Sequence, residues 1–161
     1  MKRLTFILAF IFACLAVNAQ LPSVQLKTLD GKVFDTANLD NDGKPFVISF
    51  FATWCKPCIR ELKAINEYYA DWQDETGMKL YAISIDNAQN MSRVRPLVEG
   101  DGWEYEVLLD PNEDFKRAMG VQMIPYLMII DGQGNIVETR NGYTDGSEMH
   151  IIEKIRELQN K

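Results

Sequence analysis

The chain has 161 residues, 47% of them hydrophobic and 11% aromatic, which suits one globular domain with a substantial core. Its formal charge of −6 lacks the basic footprint that nucleic-acid binding requires, so that class of partner is excluded. Three cysteines remain whose chemistry has to be placed: Cys14, Cys55 and Cys58.

The first residues read as a targeting segment. Lys2 and Arg3 form a basic start, and Leu4 to Val17 is an almost unbroken apolar run of 14 residues. Val17-Asn18-Ala19 supplies small residues for cleavage before Gln20. This is the pattern of a secretory signal peptide over 1–19, with the domain proper over 20–161. The apolar run falls short of the ~20 residues that span a bilayer, so a retained anchor is the less favoured reading. Ile11-Phe12-Ala13-Cys14 loosely resembles a lipidation box, but Phe12 is bulky for it; Cys14 reads instead as one more apolar residue. Export leads to an oxidising compartment, and removal of Lys2 and Arg3 makes the remainder more acidic. The mature chain is expected to be a monomer with no membrane span.

In chain order, Val24–Leu29, the Asp30-Gly31 turn and Lys32–Phe34 predict a hairpin. Asn41–Lys44 is a turn, and Phe46–Phe51 is apolar on both faces, as in a central buried strand. Ile59, Leu62, Ile65, Tyr69 and Trp72 form one helical stripe that Gly77 ends. Met78–Ile85 is a second central strand, joined by a right-handed parallel crossover. Asp86-Asn87 is expected to cap a helix over Ala88–Val98, with Pro96 kinking or stopping it. A strand at Glu104–Leu109, a short helix near Glu113–Met119, a strand at Tyr126–Ile130 and a hairpin partner at Ile136–Arg140 follow. Asp145 and Glu148 resemble a capping box for a last helix lined by Met149, Ile152, Ile155 and Leu158. Parallel strands joined by helices and closed by an antiparallel hairpin describe a mixed three-layer α/β sandwich, its central sheet flanked by helices and preceded by the N-terminal β-hairpin.

The chemistry centres on Trp54-Cys55-Lys56-Pro57-Cys58, between the first central strand and the long helix. Two thiols at this spacing can close a disulfide or bind a metal. A helix N-terminus favours negative charge, so a thiolate at Cys55 is stabilised and reactive, and Lys56 adds positive potential. The loop between the sulfurs is too short to make an effective structural staple. Redox chemistry is the reading that follows.

Phe50-Phe51-Ala52-Thr53-Trp54-Cys55-Lys56-Pro57-Cys58, then Glu61, Val121–Pro125 and Ile129–Gly134, resemble the TlpA-like (ResA-like) branch of the thioredoxin superfamily over about residues 22–160. The resemblance implies a thioredoxin-like fold and an exported thiol:disulfide oxidoreductase that needs no metal or organic cofactor. It implies that Cys55 is the exposed, attacking cysteine and that Cys58, more buried, resolves. It also implies that Pro125 is a cis-proline facing the disulfide, leaving the backbone of Ile124 to pair with substrate. Trp54 and Thr53 would shape the rim, with Trp54, Ile124 and Pro125 meeting the substrate. Glu61 matches the acidic residue of this branch and lies on the same helix face as Cys58, where a carboxylate could take the resolving thiol's proton. Cytoplasmic-type thioredoxins place a buried Asp where this chain has Ser49. The implied partners are protein thiols and disulfides, with a membrane electron donor, and the implied task is net reduction, as in cytochrome c maturation.

A net oxidant uses the same chemistry, and nothing in Lys56-Pro57 decides between the two directions. A Cu(I) metallochaperone is the rival from another class, since soft thiolates suit that metal, yet no His or Met stands near the pair in sequence. A peroxiredoxin-type peroxidase fits poorly, because Thr53 lies two residues before Cys55 rather than three. Met119, Met123, Met128 and Met149 are scattered and read as packing, and His150 as a solvated or partly buried side chain.

Overall fold

The structure is a computed structural model that describes residues 21–160. The targeting segment and Cys14 therefore lie outside the described residues.

Seven strands form one mixed sheet: β1 (Gln25–Thr28), β2 (Val33–Asp35), β3 (Phe46–Phe51), β4 (Lys79–Ser84), β5 (Glu106–Leu109), β6 (Tyr126–Ile130) and β7 (Ile136–Asn141). Among the described residues four α-helices accompany it: α1 (Lys56–Thr76), α2 (Val94–Asp101), α3 (Asp114–Ala118) and α4 (Met149–Gln159). The strand order is β2-β1-β5-β4-β3-β6-β7. All six residues of β3 are buried, as expected of a strand covered on both faces. Alternation divides them between two layers. Ser49 points to α1, where its hydroxyl meets Glu61. Phe50 points the other way and packs its ring 5.6 Å from that of Phe115 on α3. Helix and sheet thus flank one another in the expected sandwich, with the N-terminal hairpin β1–β2 present.

Several local expectations are corrected. β3, β4 and β5 run parallel, but β6 pairs antiparallel with β3 rather than continuing the parallel series. α3 has only five residues, about 7.5 Å of helix, and the connection that holds it crosses β4 and β3 to reach β6 without returning along their length. β1 joins β5 antiparallel, so the hairpin extends the main sheet. The helix expected over Ala88–Val98 begins only at Val94, after a 3-10 turn at Met91–Arg93. Asp86 does not cap it, because that carboxylate bonds Thr53 instead. Pro96 sits in the first turn of α2, where its missing N–H costs nothing, and the helix runs on to Asp101. The capping box also fails. Glu148 is itself the N-cap of α4, and its carboxylate accepts the Tyr143 hydroxyl at 2.9 Å. The inward face of α4 is carried by Ile151, Ile152 and Ile155, while Met149 is exposed.

Candidate active site

β3 ends at Phe51, and Ala52, Thr53 and Trp54 turn the chain into α1. Cys55 is the N-cap of α1 in extended conformation, with no side-chain hydrogen bond closing the helix end. Its backbone N–H donates to the Ala52 carbonyl at 3.0 Å, which makes the turn tight. Pro57 falls in the first helical turn, where no N–H is needed. The structure joins Cys55 and Cys58 in a disulfide, with Cα atoms 5.3 Å apart. Cys58 is fully buried and Cys55 retains 6% exposure, so access from solvent favours Cys55, although far less openly than an exposed attacking thiol would suggest.

The Ile124–Pro125 peptide is cis, as the resemblance implied. Tyr126 stands opposite Phe50 in the antiparallel β3–β6 register, so Ile124-Pro125 continues alongside Phe51-Ala52, beside the turn that carries Cys55. Pro125 is buried and Ile124 half-buried against the core. Trp54 is 58% exposed and Met123 is 59% exposed, so two large apolar side chains stand in solvent at this end of the sheet. Met123 and Met149 are therefore not packing residues, contrary to the expectation from sequence. Met119 and Met128 do pack with the core. Lys56 is exposed. His150 is exposed and pairs with Glu138, away from the cysteines.

Glu61 is the feature that distinguishes the interior of the site. It lies one helical turn beyond Cys58 on the buried face of α1 and is only 1% exposed. Its partner is the Ser49 hydroxyl, which donates to Oε2 at a long 3.4 Å. Burial pushes the Glu61 carboxyl from the usual range near 4.5 up to about 7; Arg140 and the Ser49 hydrogen bond hold it down, and Glu148 adds to the rise. Arg140 is placed by register: Ser49, Leu127 and Arg140 are successive cross-strand partners, so all three side chains share the α1 face of the sheet. The guanidinium also donates to the Ser147 carbonyl at 2.7 Å. Local sequence offers Asp86 and Glu148 only as helix caps and gives no signal for Arg140, because only the sheet register and the fold bring the three to the motif.

Among the described residues, no group of three His, Cys, Asp or Glu side chains could hold a metal ion, and no helix is long and apolar enough to cross a membrane.

The AhpC/TSA family model matches residues 17–139. The thiol-disulfide oxidoreductase ResA of Bacillus thuringiensis (strain Al Hakam) is 29% identical over 122 residues, covering 76% of this chain and 68% of that protein. A thioredoxin-like protein from Porphyromonas gingivalis has 62% identity and a TM-score of 0.76, covering 87% of this chain and 92% of that one. A secreted Mycobacterium tuberculosis disulfide oxidoreductase homologous to Escherichia coli DsbE shares the fold, at 21% identity and a TM-score of 0.70 over 84% and 96% of the two chains. The chain thus belongs to the AhpC/TSA family, as a TlpA/ResA-like protein of the thioredoxin superfamily.

Proposed function

We propose that this thiol:disulfide oxidoreductase is a net reductant of disulfides in exported proteins, with apocytochromes c among its substrates. The reduced protein begins with the Cys55 thiolate, stabilised by the N-terminus of α1 and by Lys56. It attacks one sulfur of a substrate disulfide, forming a mixed disulfide and releasing the first substrate thiolate. Cys58 then gives its proton to Glu61 and attacks the Cys55 sulfur. The second substrate thiolate leaves, Cys55–Cys58 closes, and two electrons have passed to the substrate. A membrane-bound dithiol donor restores the protein. Residues 1–19 direct export, and the chain works as a monomer in the extracytoplasmic space. Trp54, Ile124 and Pro125 form the edge at which a substrate chain lies, Ile124 through its backbone.

The observation that carries this reading is the buried Glu61 carboxyl, raised to about 7, one turn beyond the buried Cys58 sulfur. A proton acceptor poised near neutral pH suits the resolving step. Its negative charge, when present, also opposes a thiolate at Cys58. Strong oxidants of this fold owe their potential to a stabilised reduced form, and Glu61 works against that stabilisation. The test is to trap substrates on Cys58→Ser protein in an extracytoplasmic extract. Mixed disulfides through Cys55 with disulfide-bearing exported proteins are expected, and with Cys55→Ser there should be none. Failure of Cys55 to accumulate any mixed disulfide would overturn the reading.

A further inference from the structure

Asp86 is a buried carboxylate that the exchange steps above do not use. It lies just beyond β4 and is 1% exposed. The Ile85 N–H donates to the Phe51 carbonyl at 2.8 Å, extending the β3–β4 ladder to the base of the Cys55 turn. At that point Asp86 Oδ2 accepts the Thr53 N–H at 2.8 Å and the Ser84 hydroxyl at 2.9 Å, and Oδ1 accepts the Thr53 hydroxyl at 2.6 Å. A carboxylate out of water is costly unless donors surround it, and here the donors include both polar groups of the residue two before Cys55.

We propose that Asp86 is a positioning residue for disulfide exchange: its tether to Thr53 holds the Cys55 turn over Cys58 while the disulfide is open. In the oxidised protein the S–S bond itself fixes Thr53-Trp54-Cys55 to the helix. On reduction that covalent link is lost, and the Asp86 tether remains to limit the freedom of the turn. Restricting an open dithiol raises the effective concentration of one thiol at the other, which favours closure. Closing converts two thiols to one disulfide and passes two electrons and two protons to the disulfide that is reduced. The tether therefore makes the pair a stronger reductant.

This inference rests on the reading that Cys55 and Cys58 cycle, but not on the direction of physiological electron flow or on the substrate. The experiment equilibrates the full chain in dithiothreitol redox buffers at neutral pH and counts free thiols by alkylation and mass. Asp86→Ala should lower the closing constant about tenfold, equivalent to a potential about 30 mV less reducing. Asp86→Asn keeps an oxygen for the Thr53 N–H and an amide for its hydroxyl, and should stay within about threefold of the native value. Thr53→Val should fall between them. A closing constant unmoved in Asp86→Ala, with only thermal stability lowered, would overturn the inference. So would Asp86→Asn shifting as far as Asp86→Ala, since charge and not the tether would then be responsible. If Asp86→Ala does not fold, Thr53→Val decides: a shift toward the dithiol supports the tether, and no shift refutes it. These results are distinguishable from failure of the functional reading, which would show as a cycling pair that traps no exported protein.

Discussion

Helix α1 ends, at Thr76, against Gly77 in left-handed conformation, the Asn41 amide on the Gly77 carbonyl, the Gln159 amide on the Thr76 carbonyl and a two-bond fork from Arg156 to Glu75. At its other end Cys55 caps the helix without a side-chain bond, Trp54 stands in solvent and a buried Glu61 has one long hydrogen bond. The C-terminal end satisfies its orphan carbonyls, as helix ends in stable proteins do. The N-terminal end leaves helix N–H groups for a thiolate and keeps a carboxyl that pays for its burial in proton affinity. One end of the helix is finished for stability, and the other is left unfinished for exchange.

That contrast can be broken at either end. The largest effect is expected from Glu61→Gln. The resolving step should slow by about a hundredfold at neutral pH, the scale of a lost proton acceptor, and the inflection near pH 7 should vanish from its rate profile. Rapid-mixing kinetics of mixed-disulfide decay would show both. Stability should move the opposite way. A carboxyl raised from near 4.5 to about 7 binds its proton more tightly in the folded state, so the native protein loses stability as pH rises between those values, on the order of 3 kcal/mol in all. Glu61→Gln should remove that decline and make the protein more stable than the native chain above pH 7, as read by urea unfolding at several pH values.

A smaller effect is expected at the other end. Gly77 has φ +66, and a Cβ there would lie 2.6 Å from the Lys44 ammonium nitrogen, which can swing aside; the backbone cannot. Gly77→Ala should cost roughly 1–2 kcal/mol through its left-handed backbone, visible as a lower melting temperature, with exchange rates unchanged. The smallest effect belongs to Arg156→Ala. The fork to Glu75 is half-exposed, so its loss should lower the melting temperature only slightly, and less again in high salt. Slowed exchange in either variant would contradict the division between the two ends.

Much of this was legible in the sequence. The β3 run and the α1 stripe are read from local pattern, because a strand covered on both faces and an amphipathic helix each declare themselves over a few residues. Gly77 is legible as a helix stop, and Tyr126–Ile130 as a strand. Its direction is not, since antiparallel pairing with β3 depends on how the connection through the short α3 crosses the sheet. Of the site, Cys55, Cys58, Glu61 and Ile124-Pro125 can be named from the motif and the family resemblance. Arg140 could not be found, because only the register of β3, β6 and β7 puts it on the face of the sheet that holds Ser49. Asp86 offered only the look of a helix cap, since a carboxylate beside Asn87 and a polar run reads as one. Met123 looked like packing, because exposure is not written in residue type.

The most direct test of the central claim is the reduction potential of the Cys55–Cys58 pair at pH 7, measured against dithiothreitol or thioredoxin. A net reductant requires a value of about −270 mV or lower, whereas about −120 mV would mark an oxidant and contradict the account.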